Sequence, residues 1–108
     1  MDDILQLPSG AIARVRSLVV FRGKAESTLT IVIQAMNPAT GDQHSAREAQ
    51  ELANLHDEFA RRFAADRIAV SICRTEDCIA GKTAPETIFF FRRAADRSWL
   101  LDETVKPR

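Results

Sequence analysis

The chain has 108 residues, enough for one domain with a single core and too few for two. Apolar residues make up 45% and charged residues 28%, the balance of an ordinary globular protein and not of a disordered one. Fifteen basic and fifteen acidic side chains cancel. That excludes a global field drawing the chain to nucleic acid or an anionic membrane, and it removes the self-repulsion that helps keep proteins monomeric.

Residues 1–10 form an N-terminal segment in which Asp2 to Leu7 are long enough for one helical turn before the Pro8-Ser9-Gly10 break. Residues 11–22 alternate as a strand, with Ala13, Val15, Val19 and Phe21 on one side and Arg14, Arg16 and Arg22 on the other. Leu18 and Val20 make its middle apolar on both sides. A turn at 23–27 leads to a second strand, 28–36, where Leu29, Ile31, Ile33 and Ala35 oppose Thr28, Thr30, Val32, Gln34 and Met36. So short a connection implies an antiparallel hairpin. Residues 37–42, rich in Asn, Pro and Gly, read as a loop.

Ser45 opens a helix through a capping box, Ser45-Ala46-Arg47-Glu48, and the helical pattern runs to about Ala64. Ala49, Leu52, Ala53, His56, Phe59, Ala60 and Phe63 fall on one stripe with spacings of three and four. Asp57–Arg61 and Glu58–Arg62 are helix-supporting pairs. Residues 67–74 alternate as a third strand, and 75–86 are irregular with a short extended piece at 78–80. Thr87 to Arg93 form a fourth strand that holds Ile88-Phe89-Phe90-Phe91, three of the six phenylalanines. A turn at 94–98 enters a fifth strand, Trp99-Leu100-Leu101, and the charged residues 102–108 read as a frayed tail.

The order ββαβββ predicts an α+β fold in one domain, 1–108: a two-layer arrangement in which an antiparallel sheet of about five strands carries one long helix packed on one face. Side chains alternate along a strand, so the Phe run sends large apolar groups to both sides of the sheet. One helix covers only one side. If it covers the face holding Val15, Val19, Ile31 and Ile33, the other face presents Leu18, Val20, Val32 and phenylalanines, with Phe89 and Phe91 assigned to it. Each such side chain gains about 1.5–3 kcal/mol from burial, so the second face is expected to meet a second copy of the chain.

The motifs with chemical promise are few. Ala80-Gly81-Lys82-Thr83 has the end of a phosphate loop, but Glu76 stands where the loop needs its first glycine, and Pro85 and a strand follow where a helix is required. A plain turn is the better reading. His44, His56, Cys73 and Cys78 include zinc-binding atoms without zinc-site spacing, so no metal is assigned. His56 is the most interesting single residue because it sits on the apolar stripe. There it is either a hydrogen-bonded core histidine or a group at a pocket between helix and sheet, with Cys73, Phe59 and Phe90 beside it. A Cys73–Cys78 disulfide would close a tight turn, but a reducing cytoplasm argues against it.

The strand arginines with interleaved phenylalanines suit single-stranded nucleic acid only weakly, because the glycine spacing of a recognition domain is absent. No signal segment is visible after Met1-Asp2-Asp3, and the longest apolar runs are four residues, too short for a membrane span. Twelve arginines against three lysines suit a GC-rich bacterial genome. Two readings follow. The first is a cytoplasmic, non-catalytic homodimeric interaction or regulatory module without cofactor. The second is a small-molecule binding protein, or an enzyme, with an apolar ligand in a pocket near His56. The lack of paired carboxylates, a nucleophile–base pair or a cofactor motif favours the first.

Overall fold

The computed structural model describes residues 3–10, 12–35 and 42–106. The expected loop at 37–42 lies, up to residue 41, outside the described residues, as do Met36, the tail end 107–108, and the side chains of His44 and Ser45. The elements are β1 (Asp3–Gln6), β2 (Ile12–Arg22), β3 (Ser27–Ala35), α1 (Asp42–Leu55), α2 (Asp57–Arg62), β4 (Arg67–Cys73), α3 (Glu76–Ile79), β5 (Thr87–Arg93) and β6 (Trp99–Val105).

The predicted fold class needs correction. The sheet has six strands, not five, in the sequential order β1-β2-β3-β4-β5-β6. It is mixed: β3 and β4 run parallel, and every other neighbouring pair is antiparallel. The parallel pair has a simple cause. The connection from β3 to β4 passes through α1 and α2, and a crossover of that length returns the chain to the end where β3 began. Among the described residues there is no single long helix on the sheet; three short helices take its place.

The helix predicted over 45–64 begins by Asp42, so the Ser45–Glu48 motif does not start it, and it breaks at His56. At the break the His56 N–H is shared between the carbonyls of Leu52 and Ala53, each at 3.2 Å. The ring Nδ1 lies 2.8 Å from the Leu52 carbonyl oxygen, to which it donates. A side chain that competes for the i−4 carbonyl weakens the helical ladder where it acts. One residue on, Asp57 is pulled toward the sheet. Its Oδ1 accepts from the Trp99 indole at 2.9 Å and from Arg93 at 3.2 Å, while Arg61 pairs with Oδ2 at 3.2 Å.

Two strands were not foreseen at full length. The N-terminal segment is not a helical turn but β1, joined to β2 by a turn in which Gly10, at φ +94, donates to the Leu7 carbonyl at 2.8 Å. β6 continues to Val105, with Glu103, Thr104 and Val105 paired to β5, so residues 102–105 are strand and not frayed tail. By contrast β5 spans the predicted Thr87–Arg93 and β4 the predicted run less its last residue.

The core lies between the sheet and α1–α2. Leu29, Ile31 and Ile33 of β3 stand beside Ile68, Val70 and Ile72 of β4, and those beside Phe91, Phe89 and Thr87 of β5. Ala49, Leu52, Ala53 and Ala60 close over them, and Trp99 completes the cluster. In β2 the alternation slips: an irregularity between Val15 and Ser17 makes Arg16 an extra residue. Ala13 and Val15 face the helices, and after the slip Leu18 and Val20 do so, paired with Ile31 and Leu29. Val19 and Phe21, expected beside Val15, instead lie on the open face opposite Thr30 and Thr28.

Phe89 and Phe91 therefore point to the helices, 1% and 0% exposed, and Phe90 alone points away, with the Arg67 guanidinium 4.6 Å from its ring centre. Phe89→Ala should lower stability by about 3–5 kcal/mol in urea unfolding, and Phe90→Ala by less than half of that. Equal losses would contradict this assignment of faces.

Asp57 gives a pH-dependent contribution. Desolvation alone would raise its carboxyl, but the Trp99 hydrogen bond, the Arg61 charge, and the hydrogen bond and charge of Arg93 together hold it below the usual carboxylate range. A depressed folded pKa adds stability that is complete above the unfolded value of about 4 and is lost as pH falls below it. Asp57→Asn should cost about 1–2 kcal/mol at neutral pH and flatten stability against pH between about 5 and 2. An unchanged acid slope would show that another carboxylate carries it.

Candidate functional site

The open face of the sheet acquires a roof at one end. Thr75 caps α3, its Oγ1 accepting from the Cys78 N–H at 3.1 Å, and Glu76 and Asp77 supply acid to the first turn. The turn ends at Gly81, φ +82, whose N–H donates to the Cys78 carbonyl at 3.0 Å while the Lys82 N–H donates to Asp77 at 2.8 Å. This crossed pair of bonds is a Schellman stop, and only glycine takes the left-handed position cheaply. Gly81-Lys82-Thr83 is thus a helix terminator. Its amides are bound to α3 carbonyls and do not form a phosphate cradle.

Two links hold the roof to the sheet. Cys73 at the end of β4 and Cys78 in α3 form a disulfide, with their Cα atoms 5.6 Å apart. The expectation of unpaired cysteines is corrected here: the capped turn brings the two within bonding range regardless of compartment. On the β2 side, Arg16 donates from Nη1 to Glu76 at 2.9 Å and from Nη2 to its second oxygen at 3.2 Å, a two-pronged pair, and also reaches Gln34 Oε1 at 2.7 Å. The return to β5 is fixed by the Glu86 N–H on the Ile72 carbonyl at 2.9 Å and by an Arg74–Glu86 ion pair.

Between roof and sheet lies a cleft of about 640 Å³. Its floor comes from three neighbouring strands: Ser17, Val19 and Phe21 of β2, Thr30 and Val32 of β3, and Ser71 and Cys73 of β4. The roof side is Cys78 to Pro85, and Lys82 is the sole charged side chain in the lining. The volume is of the order of known small-ligand sites, about 300–1,000 Å³, and the lining mixes apolar walls with a few hydroxyls as such sites do. Among the described residues no histidine or carboxylate borders it.

The residues predicted from sequence are divided between the two faces. His56 and Phe59 lie on the helix side, Phe59 packed on the core and tilted against Phe63 at 4.7 Å between ring centres. Cys73 and Phe90 lie across the sheet, Cys73 lining the cleft with its sulfur bonded to Cys78 and so not free as a nucleophile. Of the residues assigned to a second-face interface, Leu18, Val20, Phe89 and Phe91 pack under the helices, and Val32 is on the open face in the cleft floor. Sequence reasoning missed Ser17, Thr30, Ser71 and Lys82. The available signal was that small polar residues share the second face at the centre of adjoining strands.

A smaller hollow of about 290 Å³ lies beyond α2, bordered by Arg61, Arg93, Arg97 and Asp66. Arg61 and Arg93 are already paired with Asp57, and Arg93 stacks on Trp99 at 4.3 Å. Among the described residues no group of three or more metal-ligating side chains stands together, and no helix is long and apolar enough to cross a membrane. No family model, curated protein or solved structure matches this chain.

The disulfide closes a short loop, for which constraint of the unfolded chain is worth about 2 kcal/mol. Cys73→Ser/Cys78→Ser should lose roughly that amount in urea unfolding. It should also raise amide hydrogen exchange across 75–85 while leaving β3 and β4 protected. Unchanged exchange in 75–85 would mean that the Arg16–Glu76 pair holds the roof alone.

Proposed function

We propose that the chain is a non-catalytic binding module whose ligand, a small and partly apolar molecule, sits in the cleft between the open sheet face and the 75–86 roof. The observation that carries this reading is a cleft of about 640 Å³ whose roof is held by a disulfide, a bidentate ion pair and a capped helical turn. A roof fixed in this way lowers the ordering cost of binding. A lining without imidazole or carboxylate supports binding over acid–base chemistry. The ligand site lies on the opposite side of the sheet from His56. A cytoplasmic setting belongs to the same reading: Cys73 and Cys78 are 1% and 8% exposed, which slows thiolate attack on their bond.

A second copy of the chain is the other occupant that one observation favours. Val19 and Phe21 of the cleft floor are 39% and 59% exposed, and Leu100 of β6 is exposed on the same face. Nile red, a neutral apolar dye, should fluoresce with the native protein, and Thr30→Trp or Ser17→Trp should weaken it at least about tenfold, or about 1.4 kcal/mol. Undiminished binding by both filled variants would overturn the cleft reading. Light scattering at micromolar concentration decides between occupants. A monomer supports the ligand, and a dimer dissolved by Phe21→Asp supports the second copy.

A further inference from the structure

Resting on that reading of the cleft, its polar groups define the chemical class of ligand. Ser71 is 6% exposed, sits in the floor between the strand neighbours Val32 and Ile88, and lines the cleft. Its hydroxyl has no hydrogen-bond partner among the described residues. Its Oγ is open to the cleft and not sealed from it, so it can donate to a molecule that enters. Ser17 and Thr30, on the adjoining strands, add two half-buried hydroxyls to the same floor.

The charge in the cleft has one sign. Lys82 is the sole charged lining residue, and it makes no ion pair among the described residues. The nearby acids Glu76, Asp77 and Glu86 do not border the cleft, and Glu76 and Glu86 are paired with Arg16 and Arg74. Hydroxyl donors and an unpaired ammonium complement an anionic head with several acceptor lone pairs. Val19, Phe21, Val32 and Ile79 complement an apolar body. A dianion would bring a second charge with no cation to meet it, and a cation would meet Lys82 at close range.

We infer that the cleft binds a monoanionic amphiphile, a carboxylate with a short or medium aliphatic or aromatic body, its head between Lys82 and the Ser71 hydroxyl and its body against Val19, Phe21 and Val32. Lys82 supplies selection for charge. Ser71 supplies a donor in the floor, and the volume of about 640 Å³ limits the size of the body.

Calorimetric titration of the full chain at neutral pH with octanoate, octanol and octylamine tests this. Octanoate should bind at least about tenfold tighter than octanol, and octylamine most weakly. Lys82→Gln, at an exposed position where folding is undisturbed, should erase the gap between octanoate and octanol and leave octanol unchanged, whereas Lys82→Arg should keep it. Ser71→Ala should weaken octanoate without altering its preference over octylamine, and Thr30→Trp should abolish all three. Equal binding of octanoate and octanol by the native chain overturns the anionic class while leaving the cleft reading standing. Octanoate binding that survives Thr30→Trp overturns the site. Binding of none of the three, together with no Nile red signal, overturns both.

Discussion

The extra residue in β2 decides what each face of the sheet presents. Before Arg16 the odd-numbered side chains Ala13 and Val15 enter the core, and after it the even-numbered Leu18 and Val20 do. A one-residue slip exchanges the faces of everything beyond it. Without it Val19 and Phe21 would be buried under the helices, Leu18 and Val20 would fill the cleft, and Ser17 would not reach the floor. The slip also frees Arg16 from the strand alternation, so that its guanidinium reaches both Gln34 and Glu76. One irregularity thus shapes the floor of the cleft and supplies a tie for its roof.

The helical layer depends on a second local departure from regularity. The helix breaks at His56, one residue before Asp57. The break lets the Asp57 carboxylate meet the Trp99 indole and the Arg93 guanidinium, joining α2 to β5 and β6. Arg93 stacks on Trp99 in the same group, so charge, hydrogen bond and aromatic surface share one junction. The polar tie lies at the border of the core, where the carboxylate keeps contact with water and its desolvation cost stays small enough to be outweighed.

The regular strands were legible in the sequence because their signal is compositional. Alternation in 67–74 and the flanking turn residues around 87–93 leave few other structures open. The bulge was not legible, because adding one residue to a β-branched, apolar strand changes neither composition nor length enough to notice. β1 was hidden by its brevity, since four residues hold too few alternations to tell a strand from a helical turn. β6 was hidden by Asp102 and Glu103, residues depleted in strands, in a stretch held by the pairing of Glu103, Thr104 and Val105 with β5. The Phe run misled for a related reason. Covering both faces seemed to demand a large second layer, but two of its three rings enter the core and the third is covered by a single arginine stem and guanidinium.

The candidate site was illegible for a different reason: it consists of what the open face lacks. On that face the middle strands carry Thr30, Ala69 and Ser71 where the helix face carries Ile31, Val70 and Ile68. Small side chains at the centre of a sheet cannot fill the space beneath a roof whose position is fixed by its own disulfide and cap, so a hollow persists where larger residues would have made a second core. Had the same positions been valine or isoleucine, the roof would pack directly on the sheet and the floor would offer no hydroxyl. The cleft and its unpartnered donor are therefore two consequences of one choice of residue size, made on the face of the sheet that the helices leave uncovered.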